Sequence, residues 1–276
     1  NYLFFLKELS RLELTSMVVV FLILIFAFKT IFLHYLSLRQ ASISSNISSR
    51  FAIRLFEGYL NMPYSYHVQN NSSDLIKNIQ SEVNLFNTVT LAFFSLLTEF
   101  SAFIGVWFVL LFVDSIGAIT VTLLMIIFST LFYRTTRKKL SEWGNDRQNV
   151  EGIMSRSLIE GFSSIKISKI SHKENYFLNR FKEASERKAF VFSRSTTLQQ
   201  IPRLYLELLG VIVLSFYVLF LVYNGISGNE IIGVASIFVV AAFRLLPSVN
   251  RIIGNLQNIK FSSNVVDLLF NEFENT

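Results

Sequence analysis

Apolar runs of bilayer-crossing length recur along this chain, at residues 15–36, 89–113, 116–133, 204–223 and 231–249. A crossing helix needs roughly 20 such residues, because the hydrocarbon core is about 30 Å thick. No water is available there, so backbone N–H and C=O groups must pair within the segment, and a helix does this. The expected fold is therefore all-α and polytopic, with these runs as its spans. Charged residues make up 16% of the chain, well below the roughly one quarter of an average soluble domain. The absence of cysteine excludes disulfides, thiol catalysis and zinc–cysteine sites. His34, His67 and His172 stand far apart in sequence and do not suggest a metal cluster.

The connections between the spans are unequal. Asp114-Ser115 and residues 224–230 are short and contain no lysine or arginine. Residues 37–88 hold Arg39, Arg50, Arg54 and Lys77, and residues 134–203 hold the dense Arg134, Arg137, Lys138, Lys139 cluster and many more. Basic residues collect on the cytoplasmic side of membrane proteins. Both long connections are thus expected in the cytoplasm, with the N-terminus outside and the C-terminus cytoplasmic. The net charge of +6 has the same origin and calls for no nucleic acid. The opening Asn1-Tyr-Leu-Phe-Phe-Leu-Lys-Glu lacks the layout of a signal peptide. It reads as an amphipathic lead-in to a span, in a chain expected to be a fragment.

Helical spacing continues into the long connections, in Phe51, Leu55, Tyr59 and in Ile76, Ile79, Val83, Phe86. Asn61-Met-Pro-Tyr64 and Gln69-Asn-Asn-Ser-Ser73 interrupt it. The first connection is expected to be a helical hairpin whose arms reach about 35 Å at 1.5 Å per residue. The second repeats the plan: an arm from Arg134 to about Glu160, a break at Gly161-Phe-Ser-Ser164, and a short segment Ile165–Ile170. Ser171-His-Lys-Glu174 has the form of a capping box that restarts a helix toward Pro202. Most residues of these arms read as ordinary solvated helix. Apolar side chains at the tips of such stalks need a docked partner to cover them.

Ionisable residues inside the apolar runs are the other signal. A cation at the centre of a membrane helix costs about 3 kcal/mol on insertion scales, and such groups usually face protein or a polar cavity. Arg244 and Arg251 are separated by about 10 Å of helix and return to nearly one face. Pro247 between them removes a backbone donor and is expected to loosen the helix. Lys29 sits in the first run and is within snorkelling reach of its cytoplasmic end. Arg203 stands one turn from Glu207, so an ion pair competes with any ligand role. Glu99, inside the second run, is either protonated or paired with a base on another helix. The many phenylalanines read as packing or lipid-facing groups.

Long cytoplasmic helices joined by short external turns resemble the transmembrane domain of a type I, exporter-fold ABC transporter. Leu60-Asn-Met-Pro-Tyr-Ser-Tyr66, with Ser73-Asp-Leu75 and Ser81-Glu-Val83, is similar to that family's first coupling region, although Ser73 stands where glycine is usual. Ile159-Glu-Gly-Phe-Ser-Ser-Ile-Lys-Ile167 resembles the second. Within the family, Ile201-Pro-Arg-Leu-Tyr-Leu-Glu207 and the stretch from Ser236 to Ile252 resemble the lipid-linked oligosaccharide flippases of bacterial protein glycosylation.

The resemblance implies a homodimer in the bacterial inner membrane, with a further span before residue 1 and a nucleotide-binding domain after residue 276. ATP and Mg would be bound by that domain, since no Gly-x-x-x-x-Gly-Lys-Ser/Thr loop occurs in these residues. It implies that Arg203, Arg244, Arg251 and Lys29 line a cavity for the pyrophosphate of an anionic lipid-linked substrate. Lysine at position 29 keeps the charge and loses the guanidinium fork. Pro63, Tyr64, Tyr66, Ile165, Lys166 and Ile167 would couple to the nucleotide-binding domain. Two other readings stay open: an ABC exporter of another lipid, peptide or drug, and a polytopic sensor or anchor whose stalks dock a signalling partner.

Overall fold

The computed structural model describes residues 11–113, 115–225 and 228–275, without the side chains of residues 11–14, 113, 116–117, 120–121, 229–231, 234–235, 237–244 and 275. Its elements are helical throughout the described residues. They are α1 (Arg11–Asn61), α2 (Tyr64–Gln69), α3 (Ser72–Lys77), a π-helical turn (Asn78–Glu82), α4 (Val83–Val113), α5 (Ser115–Ser163), α6 (Ile165–Ile170), α7 (Glu174–Tyr223), α8 (Gly228–Phe261) and α9 (Ser263–Asn275). Every predicted span falls on a helix. Among the described residues, Thr15–Asn61, Ser72–Phe112 and Glu174–Tyr223 are apolar and long enough to cross a membrane. The runs 116–133 and 231–249 lie on α5 and α8 and include side chains outside the described residues.

The chain divides into two units, residues 1–47 and 48–276. In the first, the α1 side chains from Met17 to Phe26 are exposed all round the helix, the pattern of a segment that faces lipid or membrane neighbours. Thr30 returns its hydroxyl to the Phe26 carbonyl at 2.8 Å, so a polar side chain in the run is satisfied locally.

The second unit has two kinds of core. Met125, Leu206, Leu245, Val249 and Ile253 bury themselves among the apolar runs of α5, α7 and α8, with Phe103 and Val106 of α4 packed against them. A separate cluster joins Leu55 and Tyr59 of α1 to Val83 and to Val265 and Leu269 of α9. Val265 and Leu269 are four residues apart and share one face of α9. The sequence reading placed its last span at residues 231–249 and described no helix beyond it, so α9 was not anticipated.

Local chemistry explains the ends of the elements. Pro63 disfavours the α conformation at Met62, and α1 stops at Asn61. The Asn71 side chain accepts from the Ser73 amide at 2.9 Å and starts α3. The capping box expected at Ser171–Glu174 is corrected: α7 begins at Glu174, with Lys173 at the cap and no side-chain cap bond. Ser171 instead closes α6. Glu174 occupies the first helical position and pairs with Lys169 at 3.0 Å. Its carboxyl is held below the usual range, first by its backbone N–H and then by Lys169. Pro202 and Pro247 lie inside α7 and α8, and neither ends its helix.

Gly144 marks a close helix approach. A Cβ there would come within 2.1 Å of the Phe261 carbonyl oxygen, so α5 and α8 meet backbone to side-chain-free backbone. Gly144→Ala should destabilise the domain by about 1–3 kcal/mol through overpacking. Gly254→Ala, whose Cβ meets nothing within 4 Å, should not. Thermal unfolding of both variants in detergent checks the contrast.

Candidate functional site

Two of the predicted substrate arginines are ion-paired. Arg203 of α7 donates from Nε to Glu207 Oε1 at 2.8 Å, one turn along the same helix. Arg251 of α8 places Nε 2.6 Å from Oε1 of Glu99 on α4. Glu99 is therefore paired across helices, which resolves the choice the sequence left open. One turn away, Asn255 Nδ2 donates to Ser95 Oγ at 2.9 Å. Together the two contacts form a polar ladder between α4 and α8. The Arg203 and Arg251 side chains remain 69% and 51% exposed, while Glu99 is 15% exposed.

Arg244 falls within α8, and its side chain lies outside the described residues. Lys29 is half-buried on α1, its Nζ 5.3 Å from the centre of the Phe26 ring.

The proposed coupling residues separate into two groups. Tyr64, Ile165, Lys166 and Ile167 are exposed, as are Phe162 and Ile170 nearby in sequence. Pro63 is the cap of α2, with extended backbone at φ −62° and ψ 153°. Tyr66 differs. It is half-buried, stacks on Tyr59 with ring centres 6.4 Å apart, and packs against the Leu55 cluster. Tyr59 donates its hydroxyl to Glu272 Oε2 at 2.8 Å, and Asn78 donates to both Tyr59 and Glu272 at 3.2 and 3.3 Å. Burial, reinforced by Glu272, pushes the Tyr59 phenol well above its usual range. Tyr66 is raised for the same reasons. Both tyrosines thus stay neutral donors at ordinary pH.

The sequence reading treated the arms as solvated helix and missed a buried charge network. Glu82, fully buried in the π-turn, accepts from Arg147 Nη2 at 3.2 Å. Arg147, 4% exposed, also donates to Glu151, and Glu151 pairs with Lys188 of α7 at 2.7 Å. Further along α5, Arg156 grips Asp74 of α3 with two nitrogens, at 3.3 and 2.6 Å. Glu160 then receives Arg180 of α7 at 3.2 Å. Arg147 and Glu151 stand at i,i+4 spacing, a signal visible in the sequence; their burial was not. Among the described residues no group of three or more His, Asp and Glu is placed to hold a metal.

Apolar helices of bilayer length, extended by ion-paired polar arms with exposed apolar tips, define a polytopic membrane domain. Residues 7–246 match the family described as the ABC transporter transmembrane region. The chain belongs to that family and is an ABC exporter transmembrane domain. Membership implies an ATP-binding partner and a setting among membrane lipids.

Removing Arg147 leaves the fully buried Glu82 carboxylate without its cation, while Glu151 keeps Lys188. Arg147→Ala should therefore lower stability by about 3–5 kcal/mol. Arg187→Ala, which breaks the exposed pair with Asp146, should cost less than about 1 kcal/mol. Denaturant unfolding of the two variants distinguishes the buried network from surface pairing; equal losses would contradict it.

Proposed function

We propose that this chain is the membrane half of an ATP-driven flippase for an anionic lipid-linked oligosaccharide or a similar glycolipid. Two copies work together in a bacterial inner membrane, with the basic arms and the C-terminus in the cytoplasm. ATP and Mg are held by the nucleotide-binding partner, since no phosphate-cradling loop occurs in these residues. Tyr64, Ile165, Lys166 and Ile167 receive that partner. Pro63, exposed at the start of α2, belongs with them, and the half-buried Tyr66 supports the first tip from within.

The observation that carries the reading is how the arginines at the ends of apolar runs are held. Arg203 and Arg251 each meet a carboxylate through Nε and keep half or more of the side chain exposed. A guanidinium gripped on that edge still offers its terminal nitrogens to phosphate oxygens, and it stays charged in a low dielectric. Arg244, seven residues before Arg251 in α8, supplies a further cation in the 231–249 apolar run. A pyrophosphate entering from the cytoplasmic leaflet is the ligand such a set suits.

Arg244→Ala in the full-length transporter should abolish flipping of a polyprenyl-pyrophosphate sugar and its stimulation of ATPase activity, with assembly intact. Flipping at the unaltered rate in reconstituted vesicles would overturn the substrate assignment.

A further inference from the structure

Glu99 is the unusual group in the α4–α8 ladder. It lies inside the 89–113 apolar run, yet only one of its oxygens meets a cation: Oε1 contacts Arg251 at 2.6 Å, while Oε2 is buried without a hydrogen-bond partner. Arg251 is equally asymmetric, engaged on its Nε edge and 51% exposed on the remainder. The pair therefore joins a buried acceptor with unused capacity to a donor whose other edge is open.

We propose that Glu99 is the resident counter-ion of Arg251 and competes with the substrate's phosphate for its charge, which makes the α4–α8 ladder sensitive to substrate. This rests on the reading of the substrate as an anionic pyrophosphate lipid. When a phosphate oxygen accepts from the terminal nitrogens of Arg251, one guanidinium serves two anions. The Nε contact to Glu99 weakens, and like-charge repulsion between phosphate and carboxylate adds to the loosening. The rung one turn away, Asn255 to Ser95, is neutral and shares the same two helices. It alone is then left as a polar tie between α4 and α8 at this level. Linkage makes the effect reciprocal: whatever factor the anion takes from the Glu99–Arg251 contact, Glu99 takes from anion affinity. Glu99 is thus a positioning and affinity-setting residue. It keeps an arginine in place just past the 231–249 run without letting it bind phosphate too tightly for release.

The test uses the full-length transporter in phosphatidylcholine nanodiscs, with geranylgeranyl diphosphate as the probe. Glu99→Gln keeps the side-chain length and an oxygen for Nε while removing the competing charge. It should bind the diphosphate roughly tenfold more tightly, a coupling of ordinary size. Arg251→Gln should remove that gain in the Glu99→Gln background. An independent readout leaves the ion pair untouched. These residues contain no cysteine, so Ser95→Cys with Asn255→Cys reports the α4–α8 approach through its disulfide-formation rate. Diphosphate should slow that cross-link, and inorganic phosphate at matched concentration should do so weakly.

Unchanged or weaker binding by Glu99→Gln, or a cross-linking rate indifferent to the diphosphate, overturns the proposal. If the wild type binds the diphosphate through Arg251 while either of those results is found, the counter-ion role alone fails. If neither wild type nor Glu99→Gln binds it, the pyrophosphate substrate falls as well.

Discussion

Arg147 decides how the polar half of this domain packs. Taking a guanidinium and two carboxylates out of water costs several kcal/mol per ion unless their geometry returns it. Arg147 meets that demand by joining Glu82, in the π-turn, to Glu151 on its own helix, and Glu151 then reaches Lys188 of α7. Glu82 and Asn78 both point inward from the π-helical turn and are buried. π-turns of this kind are rare and concentrate at functional positions. The turn and the buried arginine support each other: without the cation the turn would bury a bare carboxylate. The apolar half, with Met125, Leu206 and Leu245 at its centre, is held by side-chain packing. Its cohesion does not depend on salt in the way the exposed pairs of the arms do.

This division bears on how a tip could communicate with a span. Asp74 and Arg156 tie α3 to α5, and α5 runs without interruption from Ser115 to Ser163. The short elements beside Tyr64 are connected to α5 by that pair and by Asn71 to Glu160, so a load on them would be carried to α5. From there it passes along one continuous helix into the 116–133 run. Helix α7 offers a parallel route, since Arg180 and Lys188 tie it to Glu160 and Glu151 of α5. Stiff elements joined by a few strong contacts favour rigid-body movement over gradual deformation. That is the behaviour a domain needs if events at its ends are to change access within the membrane.

Much of this architecture was legible in the sequence, because its determinants are local. Apolar run length gave the helices, Pro63 and Asn70-Asn71 gave the first hairpin, and Ser164 broke the second arm where Gly161–Ser164 suggested. The misreadings are of two physical kinds. Ser171–Glu174 has the spacing of a capping box, but Ser171 was already committed to the end of α6 and Glu174 to Lys169. Ile76, Ile79, Val83 and Phe86 keep a regular helical period that gives no sign of the π-turn between them, since the turn follows from tertiary burial of Asn78 and Glu82. Helix α9 was missed for the same reason. Its two buried positions, Val265 and Leu269, make sense only against Leu55 and Tyr59, which lie some two hundred residues earlier. Of the site, the cations in apolar runs were identifiable, but the partners Glu99 and Glu207 had to be found in space or left as rivals.

That pairing sets what it costs to hold arginines at the ends of the apolar runs. An unpaired arginine in a span costs about 3 kcal/mol or more, so a wall of bare arginines would strain the fold whenever substrate was absent. A carboxylate partner removes most of that cost, and a carboxylate that fully satisfied the guanidinium would leave nothing for a ligand. Arg203 with Glu207 and Arg251 with Glu99 occupy the middle ground, held on one edge and open on the other. The difference between them is burial. Glu207 is half exposed and its loss would be screened, whereas Glu99 is largely enclosed between α4 and α8. A change in the charge seen by Arg203 therefore stays local to one turn of α7. At Arg251 the same change acts on the contact between two helices, one of which carries Arg244. It is this position, and not the more exposed arginine, from which occupancy of an anion site would alter helix packing.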